Sequence, residues 1–216
     1  TIGTLLASFL AVPAAFAAGV PDWAMDGANA YLKAETRETG NLAANKCEVA
    51  TMIVTALDLP VGENERQAGA AFQDLQGGMS WCQGAAGAVA VNQIATGNDG
   101  MFGAEGSVSR AVVATMLKRA YSLDTFEPAT LSAERQAEFA GMEWAKEDMA
   151  ISVAAGLIKG DDQGRLNPAG QASKWAVATM LYRAANMGAD SSTPAEATPE
   201  EATPEATPEV APTGGA

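Results

Sequence analysis

The 216-residue sequence contains no histidine, so it lacks the side chain on which the common catalytic triads and most metal-dependent hydrolases rely. Positive charge is also scarce, because 13 lysines and arginines stand against 26 aspartates and glutamates, a net charge of −13. A general nucleic-acid-binding protein needs a basic face, which this balance does not favour. The sequence therefore predicts a protein with no nucleic-acid partner, no cofactor and no metal site.

The apolar run at the beginning of the sequence is too short, and too interrupted by Pro13, to predict a stable membrane span. It ends in Ala15-Phe16-Ala17, which is typical of the cleavage site of a secretory signal. We expect residues 1–18 to be a signal peptide, truncated at its start because the usual basic residues are missing; a buried core helix is the alternative. We therefore expect a secreted protein that is located in the cell wall, at the cell surface or in the periplasm.

Residues 189–216 contain no aromatic and no positively charged residue, and they are rich in proline, threonine and glutamate. Such a segment buries too little apolar area to offset its ordering entropy. We expect a disordered, solvated acidic tail, and a spacer or a glycosylated stalk remains open.

One apolar segment occurs three times, as VATMIVTAL from Val49, VATMLKRAY from Val113 and VATMLYRAA from Val177. The copies are 64 residues apart. In each copy apolar residues recur at i, i+3, i+4 and i+7, which is one face of an amphipathic helix and not a strand. The pattern predicts an internal repeat. The core-facing methionines would be Met52, Met116 and Met180.

Each copy is predicted to contain two helices, the first opening at a tryptophan and the second containing the repeated segment. In the third copy Gly156 and Gly160 stop the first helix, while Gly164 and Pro168 mark a loop. In the first copy the tryptophan lies closer to the second helix, so its loop is shortened. We predict an all-α fold of three helix-loop-helix repeats, with these limits: 20–62 (degenerate), 70–124 and 137–188.

The second helix of each copy begins with a residue suited to capping and then a basic residue. Asn45, Ser109 and Ser173 are the predicted N-caps, and Glu48 completes a capping box with Asn45. A cation in the first turn opposes the helix dipole by a few tenths to about 1 kcal/mol. Three cations at that position indicate anion binding beside free backbone N–H groups, and solvated surface side chains are the alternative. The three cations are Lys46, Arg110 and Lys174.

The tryptophans that open the copies, Trp23, Trp81 and Trp144, could stack on sugar rings, while the cations pair with acidic groups of a glycan. The alternative is that these tryptophans are core residues between the repeats. Trp175 has no counterpart in the other copies, so it is either an extra contact or local packing.

The two cysteines, Cys47 and Cys82, both lie at the start of a predicted helix. An even pair in an exported protein favours a disulfide. Two small buried thiols are the alternative.

A family resemblance follows from the order Phe-x-Asp, Trp, Gly-(Leu/Ile)-x-x-Gly, Asp-Gly-x-Phe, (Thr/Ser)-Arg-Ala-Glu and Ala-x-Met-Leu, which resembles the S-layer homology repeat. The second copy carries it at Phe72-x-Asp74, Trp81, Asp99-Gly100-x-Phe102 and Ser109-Arg110-Ala111. The third copy carries it at Phe139, Trp144, Gly156-Leu157-Ile158-Lys159-Gly160 and Asn167-Pro168. The resemblance covers about residues 20–188.

This resemblance implies a three-pronged, pseudo-threefold helical bundle that anchors a surface protein non-covalently to cell-wall polymer. It also implies that the basic residue of the Thr-Arg-Ala-Glu motif contacts acidic glycan in grooves between the prongs. Here two of the three basic positions are lysine, which offers a point charge and not a bidentate fork. Gln93 also replaces a glycine of the helix stop, so the number of active grooves stays open.

The function predicted from these features is non-catalytic anchoring to the envelope through cell-wall polysaccharide or peptidoglycan. The alternative is an extracytoplasmic structural scaffold that binds another envelope protein. An acid glycosidase using Asp161 and Asp162 is a poor third hypothesis, because these residues lie at a turn position that the repeat reproduces.

Overall fold

The computed structural model describes residues 19–187, so the predicted signal peptide at 1–18 and the predicted tail at 189–216 lie outside the described residues. Within 19–187 the chain is all-α, as predicted, with isolated β-bridges but no β-strand. The α-helices are α1 Met25–Tyr31, α2 Ala34–Arg37, α3 Lys46–Leu57, α4 Glu63–Ala70, α5 Gln83–Val91, α6 Arg110–Ala120, α7 Ala133–Ala137, α8 Lys146–Ala154 and α9 Lys174–Ala185.

The repeated segment forms α3, α6 and α9, and the predicted N-caps begin all three helices. The Asn45 side chain accepts a hydrogen bond from the Glu48 N–H at 2.9 Å, and the Glu48 carboxylate accepts from the Asn45 N–H at 2.9 Å. The hydroxyls of Ser109 and Ser173 each accept from the backbone N–H three residues later. The capping box and the N-caps are therefore confirmed, and they satisfy N–H groups that a helix start leaves free.

The core lies where α3, α6 and α9 contact one another. Each of them also packs against an outer helix: α3 against α5, α6 against α8, and α9, the last helix, against α1, the first. The first and last α-helices of the described residues are therefore in contact with each other. The predicted core methionines are at most 5% exposed, which confirms their packing role: Met52, Met116 and Met180.

The segments that lead into the three central helices are joined by a ring of backbone hydrogen bonds. The Ala44 N–H donates to Ala172 O at 2.8 Å, Ala172 N–H to Val108 O at 2.9 Å, and Val108 N–H to Ala44 O at 2.9 Å. These residues are 64 positions apart in sequence. Because the ring lies just before α3, α6 and α9, it brings the basic first residues of those helices to one region of the molecule.

Helix α4 was not predicted, and it lies between the first two proposed repeats. It packs closely on α5 because glycines form the contact. A Cβ added at Gly69 would overlap the backbone of Gln83, and one at Gly87 would overlap the carbonyl of Glu65. Small residues therefore decide the approach of these two helices, which hydrophobic periodicity does not reveal.

The opening tryptophans precede the outer helices instead of starting them. Trp23, Trp81 and Trp144 each lie in a short 3-10 segment directly before α1, α5 and α8, respectively.

In residues 19–187 we find no helix with the length and apolar character that a bilayer crossing requires.

Candidate functional site

Three surface grooves each contain one of the predicted cations, and each groove is named here after that cation. The Lys46 groove has a volume of about 140 Å³, the Arg110 groove about 300 Å³ and the Lys174 groove about 400 Å³. All three cations are the first residue of a central helix. The capped N-termini of α3, α6 and α9 thus direct positive side chains into clefts between helices.

Each groove also contains one exposed tryptophan from a different copy of the repeat. Trp144 lies in the Lys46 groove, Trp23 in the Arg110 groove and Trp81 in the Lys174 groove. The tryptophans are 57%, 56% and 55% exposed, respectively. The alternative that they are core residues is therefore wrong. An indole face beside a cation is an arrangement that suits a sugar with an acidic substituent.

In the Lys46 groove the cation is held by a backbone carbonyl and an aromatic ring. Lys46 Nζ donates to Phe102 O at 2.8 Å and lies 4.6 Å from the centroid of the Phe102 ring. Burial lowers the pKa of Lys46, Asp74 opposes this shift, and the neighbouring Arg119 adds to it. Among residues 19–187 no carboxylate forms a salt bridge with Lys46, so no ion pair within these residues neutralises its charge.

In the Arg110 groove the cation is again held by a backbone carbonyl, here that of Leu166 and without an aromatic ring. Arg110 Nε donates to Leu166 O at 2.8 Å, which leaves other N–H groups of the guanidinium for a ligand. Burial lowers the pKa of Arg110, against the opposing effects of Asp161 and Glu138. A second cation in the groove, Arg183, has its pKa lowered by burial and by Arg110. Two partly buried positive charges beside each other favour an anion between them.

The Lys174 groove differs because its cation is already paired. Lys174 Nζ lies 2.7 Å from a carboxylate oxygen of Glu48, and the two side chains are only 14% and 28% exposed. Beside this ion pair, in the shortened loop of the first copy, Trp175 packs against Gly40 and its indole N–H donates to Arg37 O at 2.9 Å. The unmatched Trp175 is thus local packing, and Lys174 binds an internal acid instead of a loop carbonyl.

Two acidic residues that hold the groove walls were not singled out as functional in the sequence. Asp74 accepts hydrogen bonds from the backbone N–H groups of Phe102 at 2.7 Å, Gly103 at 2.7 Å and Ala104 at 2.8 Å. Glu138 plays the same part in the third copy, where it accepts from the N–H groups of Leu166 at 3.2 Å and Asn167 at 2.6 Å. Both acids therefore position the carbonyls that receive Lys46 and Arg110. The two acids are 64 residues apart, which is the period of the repeat, and this spacing could have identified them from the sequence.

The second cations of two grooves were also missed, although they lie inside the repeated segment. Arg119 lines the Lys46 groove and Arg183 the Arg110 groove, again 64 residues apart. The corresponding position in the first copy is Thr55, which lines the Lys174 groove. Helix α3 therefore contributes no second cation to the Lys174 groove.

Cys47 and Cys82 form a disulfide with an S–S distance of 2.08 Å, and both residues are fully buried. Cys47 follows Lys46, and Cys82 follows Trp81. The bridge therefore ties the start of α3 to the segment that carries the tryptophan of the Lys174 groove.

Asp161, one of the two aspartates considered for catalysis, serves the local turn. The Asp161 carboxylate accepts from Arg165 Nε at 2.9 Å and from the backbone N–H groups of Gln163 and Arg165, both at 2.9 Å. The guanidinium of Arg165 holds the pKa of Asp161 below its usual value. A carboxylate held ionised in this way is poorly suited to act as a general acid near neutral pH.

Comparison with known proteins agrees with the resemblance of the motifs. The sequence model of the S-layer homology domain matches residues 140–174, which include Trp144 and Lys174. An S-layer protein of Bacillus thuringiensis subsp. finitimus is 29% identical over 154 residues, which are 68% of this chain and 18% of that protein. The chain thus corresponds to less than a fifth of this relative's length. Together with the repeated motifs, these matches support an S-layer homology domain protein, and the family model itself matches residues 140–174.

Proposed function

We propose that this chain attaches to the cell envelope, without catalysis, by binding an acidic cell-wall glycan in grooves between three repeats. In this proposal the repeats form a pseudo-threefold bundle, with helix pairs α9–α1, α3–α5 and α6–α8 as the prongs. The ring of hydrogen bonds among Ala44, Val108 and Ala172 supports that symmetry. The match to the S-layer homology domain and the similarity to an S-layer protein support a location at the cell surface.

The observation that carries the proposal is a partly buried cation, unpaired by an acid within the described residues, beside an exposed indole. This combination occurs twice, at Lys46 with Trp144 and at Arg110 with Trp23. Burial of a charge costs free energy unless a partner compensates it. A carboxylate, pyruvyl or phosphate group on a sugar would supply that partner, while the indole covers the sugar ring.

The attraction must be local, since the whole chain carries a net charge of −13. Six of its acidic residues belong to the predicted tail, which lowers the negative charge of the folded part. The grooves would then attract acidic polymer over a short range only, and binding should weaken as salt screens the charges. Peptidoglycan is a second possible glycan if its acidic groups reach the same cations.

The test is co-sedimentation of the protein with purified cell-wall sacculi. Replacing Lys46 and Arg110 with glutamine should weaken binding by at least about tenfold, because charge-assisted hydrogen bonds are lost in two grooves. Lys146→Gln is the matched control, since Lys146 lines none of the three grooves and donates to Gln136. Helical circular dichroism should be the same for all variants.

Undiminished wall binding by the double variant would contradict the proposal. Retention on another purified envelope protein, with no affinity for sacculi, would instead favour the structural scaffold. Removal of acidic substituents from the sacculi should have the same effect as the double substitution, because both remove one half of the ion pair.

A further inference from the structure

The Arg110 groove lies beside the end of the last described helix. Arg183, which lines this groove, belongs to the last turn of α9, and α9 ends at Ala185. Because an α-helix rises about 1.5 Å per residue, this end is only about 3 Å further along the axis. The Arg183 guanidinium is fixed at the groove by Nη1, which donates to Leu157 O at 3.0 Å. The chain therefore leaves α9 next to a groove that contains two partly buried arginines.

Positive charge exceeds negative charge around the Arg110 groove. The charged residues that line it are the cations Arg110, Lys159 and Arg183 and the acids Asp161 and Asp162. Asp161 is already paired with Arg165 at 2.8 Å. Glu138 lies near enough to oppose the lowering of the Arg110 pKa. Even with Arg165 and Glu138 included, four cations stand against three acids. Within residues 19–187 neither Arg110 nor Arg183 forms a salt bridge, so an added carboxylate would find both guanidinium groups available.

The acidic tail that follows this helix in the sequence carries only negative charge. Residues 189–216 contain no lysine or arginine, and their six acidic residues are Asp190, Glu196, Glu200, Glu201, Glu205 and Glu209. Residues 19–187 contain all 13 cations and the other 20 of the 26 acids, a net charge of −7. These residues therefore repel the tail on average, and attraction is confined to places where cations collect. Salt limits that attraction to about 8–10 Å, so it acts at basic sites that the tail can approach closely.

The position of the tail along the chain favours the Arg110 groove. Asp190 follows Arg183 by seven positions. An extended chain spans at most about 3.3–3.6 Å per residue, so this distance is at most about 25 Å. The effective concentration of a tethered group is highest at a site that its linker just spans, and it falls as the linker grows longer than the span. The groove nearest to the tether therefore has the advantage.

The other two grooves are less favourable for the tail. The Lys46 groove contains Arg119 as a second cation and no acidic residue, but no residue of α9 lines it. Lys174 lies at the opposite end of α9 from Arg183, about 14 Å away along the helix axis. It is also paired with Glu48, which leaves the exposed Lys33 as the second cation of that groove.

We propose that the acidic tail docks in the Arg110 groove of its own chain, where the carboxylates of Asp190 and Glu196 pair with Arg110 and Arg183. This inference goes beyond the proposed function, because it concerns a segment of the protein itself and holds whatever external polymer the chain binds. The tail would compete with any external anion for the Arg110 groove and would leave the Lys46 groove open. The two unpaired cationic grooves would then differ in accessibility.

The tryptophans provide one reporter for each groove: Trp23 for the Arg110 groove, Trp144 for the Lys46 groove and Trp81 for the Lys174 groove. The experiment compares proton–nitrogen correlation spectra of the wild type and of a tail-neutral variant, with Asp190→Asn and all five tail glutamates replaced by glutamine. At low salt the indole N–H signal of Trp23 should differ between the two proteins, while the other two signals stay unchanged. About 1 M salt should abolish the difference, since the screening length falls to about 3 Å.

A synthetic peptide of residues 189–216 measures the same contact between separate molecules. Added to the tail-neutral protein, the peptide should shift the Trp23 signal, and Arg110→Gln/Arg183→Gln should weaken its binding at least about tenfold. Lys46→Gln/Arg119→Gln is the matched control, because it removes two cations from another groove. The wild type should need at least about twice as much peptide for half-saturation, since its own tail competes at a millimolar effective concentration.

Identical Trp23 signals in the wild type and the tail-neutral protein at low salt would overturn the inference, and this outcome requires no substitution within residues 19–187. A response of Trp144 or Trp81 in place of Trp23 would also overturn it, because another groove would then hold the tail. A difference that grows with protein concentration would overturn it in favour of docking onto a second copy of the chain. None of these outcomes bears on binding to sacculi, so the proposed function stands or falls separately.

Discussion

Replacing Asp74 with asparagine should destabilise the fold at the wall of the Lys46 groove. One carboxylate oxygen accepts the Phe102 N–H, and the other accepts the N–H groups of Gly103 and Ala104. Asparagine retains one acceptor oxygen, so at least one of these bonds and the charge that strengthens the others are lost. Hydrogen bonds to charged groups contribute about 1.5–3 kcal/mol each. We expect a loss of about 2–3 kcal/mol in the free energy of unfolding at pH 7.

The pH dependence of this loss identifies its cause. Partial burial raises the pKa of Asp74, but the N–H groups of Ala104, Phe102 and Gly103 together hold that pKa below its usual value. A carboxylate whose pKa is depressed in the folded state stabilises the protein above its unfolded pKa of about 3.9. That stabilisation is lost as the pH falls through the folded pKa. The difference between wild type and variant should therefore shrink as the pH decreases below about 4.

Urea unfolding followed by circular dichroism, at pH 7 and at pH values from 5 downward, measures this effect. Glu138→Gln is the matched variant, because Glu138 accepts two N–H groups instead of three and should cost less. Equal stability of wild type and Asp74→Asn at pH 7 would refute the argument. A difference that persists unchanged in acid would also refute it, since it would then owe nothing to the carboxylate charge.

Three further changes test other parts of the structure. Replacing Cys47 and Cys82 with alanine opens a loop between residues 35 positions apart and should cost about 3–4 kcal/mol, measured by urea unfolding; reductant should destabilise only the wild type. Tyr121→Phe should change the stability at pH 7 by less than about 1 kcal/mol, since the buried hydroxyl has no partner in residues 19–187. Because burial raises the pKa of Tyr121 to about 12, the variant should also lose less stability than the wild type between pH 10 and 12 in alkaline unfolding titrations. Burial lowers the pKa of Lys46, so glycan binding in its groove should weaken as the pH rises through that value, and Lys46→Arg should extend binding to higher pH in calorimetric titrations.

Local sequence was sufficient to predict the central helices. The stripe of Val113, Met116 and Leu117 and the capping residue Ser109 specify α6, and the structure has both where they were expected. Helix periodicity and capping depend on residues within a few positions of one another, so they can be read without the fold. Helix α4 was not predicted, because its packing against α5 depends on the contact of Gly87 with the carbonyl of Glu65, which lies 22 positions away in the sequence.

The repeat, the helix starts and the cations that follow them can all be predicted from local sequence. Tertiary structure alone decided which tryptophan faces which cation: Trp144 meets Lys46, although 98 positions separate them, because a groove forms where helices of different copies pack together. It also decided that Lys174 pairs with Glu48, a residue 126 positions earlier in the sequence. Charge pairing over such distances follows from packing, which no local pattern records.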